Sequence, residues 1–240
     1  MAPGLSPLIA AALLAAAPPS GDTVMLMLEA VKVEAAFHGR EAGESELSPG
    51  VLAALASVPR QEFVPDSAAS WAWENRPHAL GYGRTLPQPY LSALMAELLD
   101  LGPGERVLEV GTGSGYQAAI LSRLARKVST LEPVGPLARE ASARLARLGF
   151  PAVEVRHGDG LAGWPEAALF DAILVTLAVS EVPPALLAQL RPGGTMLVPL
   201  TYGGPTPYLT LVRKNDKGKL KPKPRPLLEL AVEPLPAVSN

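Results

Sequence analysis

Residues 107–116 read VLEVGTGSGY, and this stretch decides the fold. Val107 to Val110 form a short apolar run interrupted only by Glu109, and Gly111, Gly113 and Gly115 follow at alternate positions. A strand that ends in a glycine turn and enters a helix (QAAILSRLARK, residues 117–127) forms the ligand-binding corner of open α/β sheets. Glycines there let the backbone approach a ligand without interference from a Cβ. A dinucleotide site favours G-x-G-x-x-G, which seats a pyrophosphate on the helix N-terminus. This chain has G-x-G-x-G, with Glu109 two residues ahead of the first glycine. A carboxylate at that point repels a pyrophosphate and suits a ligand carrying an ammonium and a sulfonium. That favours S-adenosylmethionine over a nicotinamide dinucleotide.

Downstream, strands and helices alternate. VSTLEP (128–133), VEVRHGD (153–159), FDAILVTLA (170–178) and TMLVPL (195–200) read as strands. GPLAREASARLARLG (135–149) and PPALLAQL (183–190) read as helices, the second stopped by Pro192-Gly193-Gly194. This rhythm predicts an α/β fold of Rossmann type, a doubly wound and mostly parallel sheet. YLTLVRK (208–214) and LLELAVEPL (227–235) are expected to close it as an antiparallel pair around NDKGK.

Upstream, VMLMLEAVKVEAAF (24–37) carries helical periodicity, and Ser48-Pro49 offers an N-cap followed by Pro at the first helical position. Residues 66–90 read as a loop-like mixture, before the periodic helix YLSALMAELLDL (90–101). The expected organisation is a tail over 1–20 and one domain over 21–240. Within it, residues 21–90 form a substrate-side region and 91–240 the cofactor-binding core.

Two further acids strengthen the assignment of the glycine turn. Glu132 ends the second strand, where it can accept ribose hydroxyl hydrogens, and Asp159 ends the third, placed for an adenine amino group. With Glu109, and beside Thr112, Pro133 and Gly160, they make three acidic strand ends in a row around one flexible turn.

The composition excludes several classes. A formal charge of −2 over 240 residues gives no global pull towards nucleic acid. The basic run from Arg213 to Arg225 is interleaved with Gly and Pro and reads as a solvated hairpin. No cysteine is present, and His38, His78 and His157 lie far apart, so no metal site is expected. LSPLIAAALLAAA (5–17) is too short for a membrane span. Ala15 and Ala17 would suit a signal-peptide cleavage site, but no basic residue precedes the stretch and Pro18 follows it. Cytoplasmic and exported locations both stay open. Trp71, Trp73 and His78 read as packing and loop residues of the N-terminal region.

Over nearly all of residues 24–236 the chain resembles the protein-L-isoaspartate (D-aspartate) O-methyltransferase family. The resemblance lies in VLAALASVPRQEFVP (51–65), RTLPQPYLSALMAELL (84–99) and RVLEVGTGSGYQAAILSRLA (106–125). It continues in HGDGLAGWP, FDAILVTLA, VPPALLAQLRPGGTMLVPL and the closing AVEPL. It implies a Rossmann-type fold and methyl transfer from S-adenosylmethionine to the α-carboxylate of an isoaspartyl residue in a peptide or protein. The ester then cyclises to a succinimide that reopens as normal aspartate. The resemblance also implies a cofactor contact at Ser92 and a substrate pocket bordered by Thr85, Gln88, Thr176 and Ala178.

The chain departs from the family at two places. The family pattern Thr-Ile-Ser-Gln-Pro, with an active-site hydroxyl, is here Thr85-Leu86-Pro87-Gln88-Pro89. After FDAILVT, Ala-Ala-Pro is replaced by Leu177-Ala178-Val179-Ser180. These departures open two alternatives: a methyltransferase for another peptide carboxylate, or a cofactor-binding homologue without turnover.

Overall fold

The computed structural model describes residues 20–42, 45–215, 217, 218, 220 and 224–230. The expected N-terminal tail lies outside them except for Ser20, as do the closing AVEPL and Lys219, Lys221 and Lys223 of the basic run. Two helices open the fold, α1 (Gly21–Ala42) and α2 (Pro49–Ser57). Ser48 caps α2 by accepting the Val51 N–H at 3.3 Å, and its own N–H donates to Glu97 at 2.7 Å. Then come β1 (His78–Gly81), β2 (Arg84–Leu86) and α3 (Pro89–Leu99). The α/β region follows as β3 (Arg106–Val110), α4 (Tyr116–Leu121), β4 (Lys127–Glu132), α5 (Gly135–Arg147), β5 (Val153–His157), β6 (Phe170–Val175), α6 (Pro184–Gln189), β7 (Leu190–Leu200), β8 (Tyr208–Arg213) and β9 (Arg225–Glu229).

The main sheet has the order β5-β4-β3-β6-β7-β8-β9. Strands β3 to β7 pair in parallel, and β8 and β9 join antiparallel. The chain runs outward from β3 through β4 to β5, then crosses back to place β6 on the other side of β3. Strand order therefore reverses at β3, and a crevice opens beyond its carboxyl end. The glycine turn sits at that point.

Both faces of the central strands are buried, which explains their near-continuous apolar sequence. Val107, Ala172, Leu174 and Leu197 face one core with residues of α1 to α4. Their alternates Leu108, Ile173, Val175, Met196 and Val198 face a second core with Leu186 of α6 and Trp164.

Three local expectations need correction. The loop-like segment contains the β1–β2 hairpin, whose strands are too short to show a period. Its turn is made by Gly81, Tyr82 and Gly83, all at positive φ. Helix α4 ends at Leu121 where a helix to residue 127 was expected, and Lys127 already pairs with Arg106. Pro192-Gly193-Gly194 lies inside β7 as a bulge, because β6 pairs Phe170 with Leu190 and Ala172 with Thr195. A Cβ on Gly194 would meet the Asp171 carbonyl oxygen at 2.8 Å, so the bulge requires glycine there.

Candidate active site

The glycine turn is drawn across the sheet end by two hydrogen bonds, Gly111 N–H and Thr112 N–H donating to the Leu131 carbonyl at 2.8 and 3.2 Å. Gly111 has φ +100°, and a Cβ there would lie 2.1 Å from Thr176 Oγ1. That hydroxyl donates to the Val110 carbonyl at 2.9 Å, which ties the end of β6 to the turn. Gly115 serves packing instead: a Cβ there would meet Leu145 of α5 at 3.0 Å.

A cavity of about 560 Å³ lies beside this turn. Gly111, Thr112, Gly113, Glu132 and Thr176 form one wall, and Thr85, Pro87 and Gln88 another. The structure thus gathers eight of the sequence-selected residues around one space. Ser92, Glu109, Gly115, Pro133, Asp159, Gly160 and Ala178 lie outside its lining.

Glu132 is almost fully buried at the cavity wall. Its Oε2 accepts the Gly113 N–H at 2.8 Å and its Oε1 accepts the Val134 N–H at 3.0 Å. Each oxygen keeps a second lone pair for a ligand. Glu109 departs from expectation. Its carboxyl is sunk in the sheet with no exposure, and Thr130 Oγ1 donates to Oε2 at 2.5 Å. The Thr130 hydroxyl in turn meets that of Thr112 at 2.7 Å. Burial pushes the Glu109 carboxyl up to about 8, the nearby Glu132 charge adds to this, and the Thr130 hydrogen bond opposes it. At neutral pH Glu109 is therefore largely a neutral acid, and not the exposed anion that the spacing suggested.

Asp159 is exposed, and one carboxylate oxygen accepts the Leu161 N–H at 2.9 Å. Gly160 packs onto β3, since a Cβ there would meet Val110 Cγ1 at 2.3 Å. Pro133 places its carbonyl 3.2 Å from the His157 ring. Ser92 is buried in α3, where its carbonyl accepts the Gln117 amide at 3.2 Å.

The Thr85–Gln88 wall is held from behind by Arg60, which has no exposed surface. Its guanidinium donates to the carbonyls of Ala72 at 2.8 Å, Arg76 at 3.3 Å and Pro87 at 2.6 Å, and lies 4.7 Å from the Tyr116 ring centroid. Glu34 of α1 closes the same wall by accepting the Gln88 amide at 2.8 Å and the Asn75 amide. Sequence reasoning missed Arg60, Glu34, His38, Arg84 and Glu229. A signal existed for one pair: Glu34 and His38 stand four apart in a helical stretch and so share a face. Trp73 and His78 are buried, and Trp71 is exposed with Arg76 5.7 Å above its ring.

The donor set suits a polar nucleoside with a cationic tail. Ser114 Oγ and Gln117 Oε1 are buried polar atoms of cavity-lining residues without partners among the described residues. Leu80, Leu91 and Met95 add apolar wall, and Glu132 supplies a negative charge. No group of residues able to hold a metal ion occurs among the described residues, and none of the described helices is long and apolar enough to cross a membrane.

The profile described as protein-L-isoaspartate(D-aspartate) O-methyltransferase matches residues 37–228. Protein-L-isoaspartate O-methyltransferase 1 of Cupriavidus necator is 48% identical over 192 residues, 80% of this chain and 74% of that protein. Protein-L-isoaspartate O-methyltransferase 2 of Syntrophobacter fumaroxidans is 45% identical over 223 residues, 92% of this chain and 89% of that protein. A solved protein-L-isoaspartate O-methyltransferase superposes with a TM-score of 0.71 at 30% identity, covering 88% of this chain and 66% of that one. The fold is shared, at 21% identity and a TM-score of 0.71, by a Plasmodium falciparum protein solved with S-adenosyl-L-homocysteine, covering 88% of this chain and 96% of that one. A strand-order reversal carrying a glycine turn, an acid at the next strand end and a profile match across most of the sequence place this chain in the protein-L-isoaspartate(D-aspartate) O-methyltransferase family.

Proposed function

We propose that this protein transfers a methyl group from S-adenosylmethionine to the α-carboxylate of L-isoaspartyl residues in peptides and proteins, the first step of their repair. The observation that carries this is one cavity lined both by Glu132 and the glycine turn and by Thr85, Pro87 and Gln88. When bound, S-adenosylmethionine supplies an electrophilic methyl: an O–CH3 bond forms, the S–CH3 bond breaks, and its electron pair stays on sulfur.

In this reading Glu132 accepts the ribose hydroxyls, while Ser114 Oγ and Gln117 Oε1 pair with polar edges of the same ligand. Gly113 keeps that wall low. The acceptor needs no general base, because a carboxylate with a pKa near about 4 is already ionised at neutral pH. The protein therefore has to orient a carboxylate oxygen and exclude water, and positioning of this kind lowers a barrier by several kcal/mol. Leu80, Leu86 and Leu91 supply the dry surface. The ring of Pro87 offers no hydroxyl, so the acceptor is held by other donors of that wall. With a net charge of −2, the chain has no global pull towards nucleic acid and suits protein substrates better.

The test pairs an isoaspartyl peptide with its normal aspartyl twin, each incubated with labelled S-adenosylmethionine. Methyl ester on the isoaspartyl peptide alone is expected. No ester on it refutes the assignment, and equal labelling of both twins points to a different carboxylate substrate.

A further inference from the structure

The cavity wall holds a guanidinium that nothing else in the described structure uses. Three carboxylates of the described residues line the cavity, and each is served by neutral donors. Glu34 accepts from the Asn75 and Gln88 amides, Glu132 from the Gly113 and Val134 backbone, and Glu229 from the Tyr208 hydroxyl at 3.2 Å. Among the described residues Arg84 is the one Lys or Arg of the lining. It joins none of the ion pairs among the described residues, and its Nε is buried without a hydrogen-bond partner. Charged donors withdrawn from water are normally paired, and a half-buried guanidinium that lines a cavity without a partner marks a place for an anion.

Its position is well fixed. Arg84 sits in β2 opposite Gly81, directly after the three-residue turn at positive φ. It adjoins Thr85, and three residues on, the carbonyl of Pro87 is clamped by Arg60. A forked cation thus stands beside the one segment of the wall where a proline ring has taken the place of a hydroxyl.

We propose that Arg84 binds the carboxylate of the methyl acceptor, doing by charge-assisted N–H···O bonds what a side chain at position 87 cannot do here. The proposal rests on the methyltransferase reading above. The guanidinium holds the carboxylate and leaves a lone pair on one oxygen for the methyl group. Because the carboxylate loses its negative charge as the ester forms, Arg84 holds the ground state more tightly than the transition state. Its loss therefore raises KM without lowering kcat.

The same chemistry would suit the amino-acid carboxylate of S-adenosylmethionine, so the experiment separates the two. Wild type, Arg84→Gln and Arg84→Lys are titrated with S-adenosylhomocysteine. The saturated proteins are then titrated with an isoaspartyl peptide and with its carboxamide twin. Wild type is expected to bind the acid at least tenfold tighter than the amide. Arg84→Gln is expected to lose that preference, Arg84→Lys to keep part of it, and S-adenosylhomocysteine affinity to stay within twofold throughout. In turnover, Arg84→Gln raises KM at least tenfold with kcat within twofold. Equal affinity of wild type for acid and amide overturns the proposal. So does an unchanged preference in Arg84→Gln, or a loss of S-adenosylhomocysteine affinity as large as the loss for peptide. Binding of the acid through Arg84 without esterification supports Arg84 and refutes the methyl-transfer reading instead.

Discussion

Glu132 uses both carboxylate oxygens to hold backbone N–H groups, at 2.8 and 3.0 Å, while still facing the cavity. Replacing it with Gln removes the charge and turns an amide NH2 towards one of those donors. Hydrogen bonds to charged groups contribute about 1.5–3 kcal/mol. Glu132→Gln is therefore expected to weaken S-adenosylhomocysteine binding by about 10- to 100-fold in calorimetry. Unchanged affinity would remove Glu132 from the ligand site. Pro87 presents the opposite case, since its contribution to the wall is a carbonyl that Arg60 already holds. Pro87→Ser keeps that carbonyl and adds a hydroxyl beside the acceptor. Its kcat/KM for an isoaspartyl peptide is expected to rise by about tenfold, equivalent to about 1.4 kcal/mol. A lower rate would show that the ring itself shapes the pocket.

At the scale of elements, the Thr85–Gln88 wall is tied to one buried cation. Arg60 links the short helical turn Arg60–Phe63 to the segment Ala72–Arg76 and to the end of the β1–β2 hairpin through three carbonyls. Arg60→Met keeps much of the volume and leaves all three without their donor. An unsatisfied buried group costs about 1–3 kcal/mol, and with one carbonyl buried and two part-buried the urea-derived stability is expected to fall by about 2–4 kcal/mol. Hydrogen exchange should accelerate first across residues 78–88. A loss below about 1 kcal/mol would mean that water replaces the guanidinium without penalty. Nothing in the pattern of residues 60–90 announces this linkage. Its strands are three and four residues long, below the length at which alternation shows.

Across the whole molecule, Glu109 couples folding to pH. Its folded value of about 8 lies above the ordinary 4.5, so the native protein keeps a proton that the unfolded chain releases. This contribution to stability is complete below pH 4.5 and is lost as pH rises through 8. The full difference corresponds to an upper bound of about 5 kcal/mol. Glu109→Gln imitates the protonated acid, so the stability of wild type relative to this variant should fall between pH 5 and 8. Parallel pH profiles would show that Glu109 is ionised in the native state. From the sequence alone come the parallel sheet and the corner at which its glycine turn sits. Those features are written in local apolar runs and in a contiguous turn whose glycines have no steric substitute. It also exposed the missing hydroxyl at Pro87, because a departure from a contiguous pattern is visible without coordinates. It took the folded chain to show that Glu109 is neutral while Glu132 lines the cavity, and that Glu34, Arg84 and Glu229 line the same space. Desolvation and the convergence of residues about fifty to nearly two hundred positions apart are set by packing, which no local window of sequence contains.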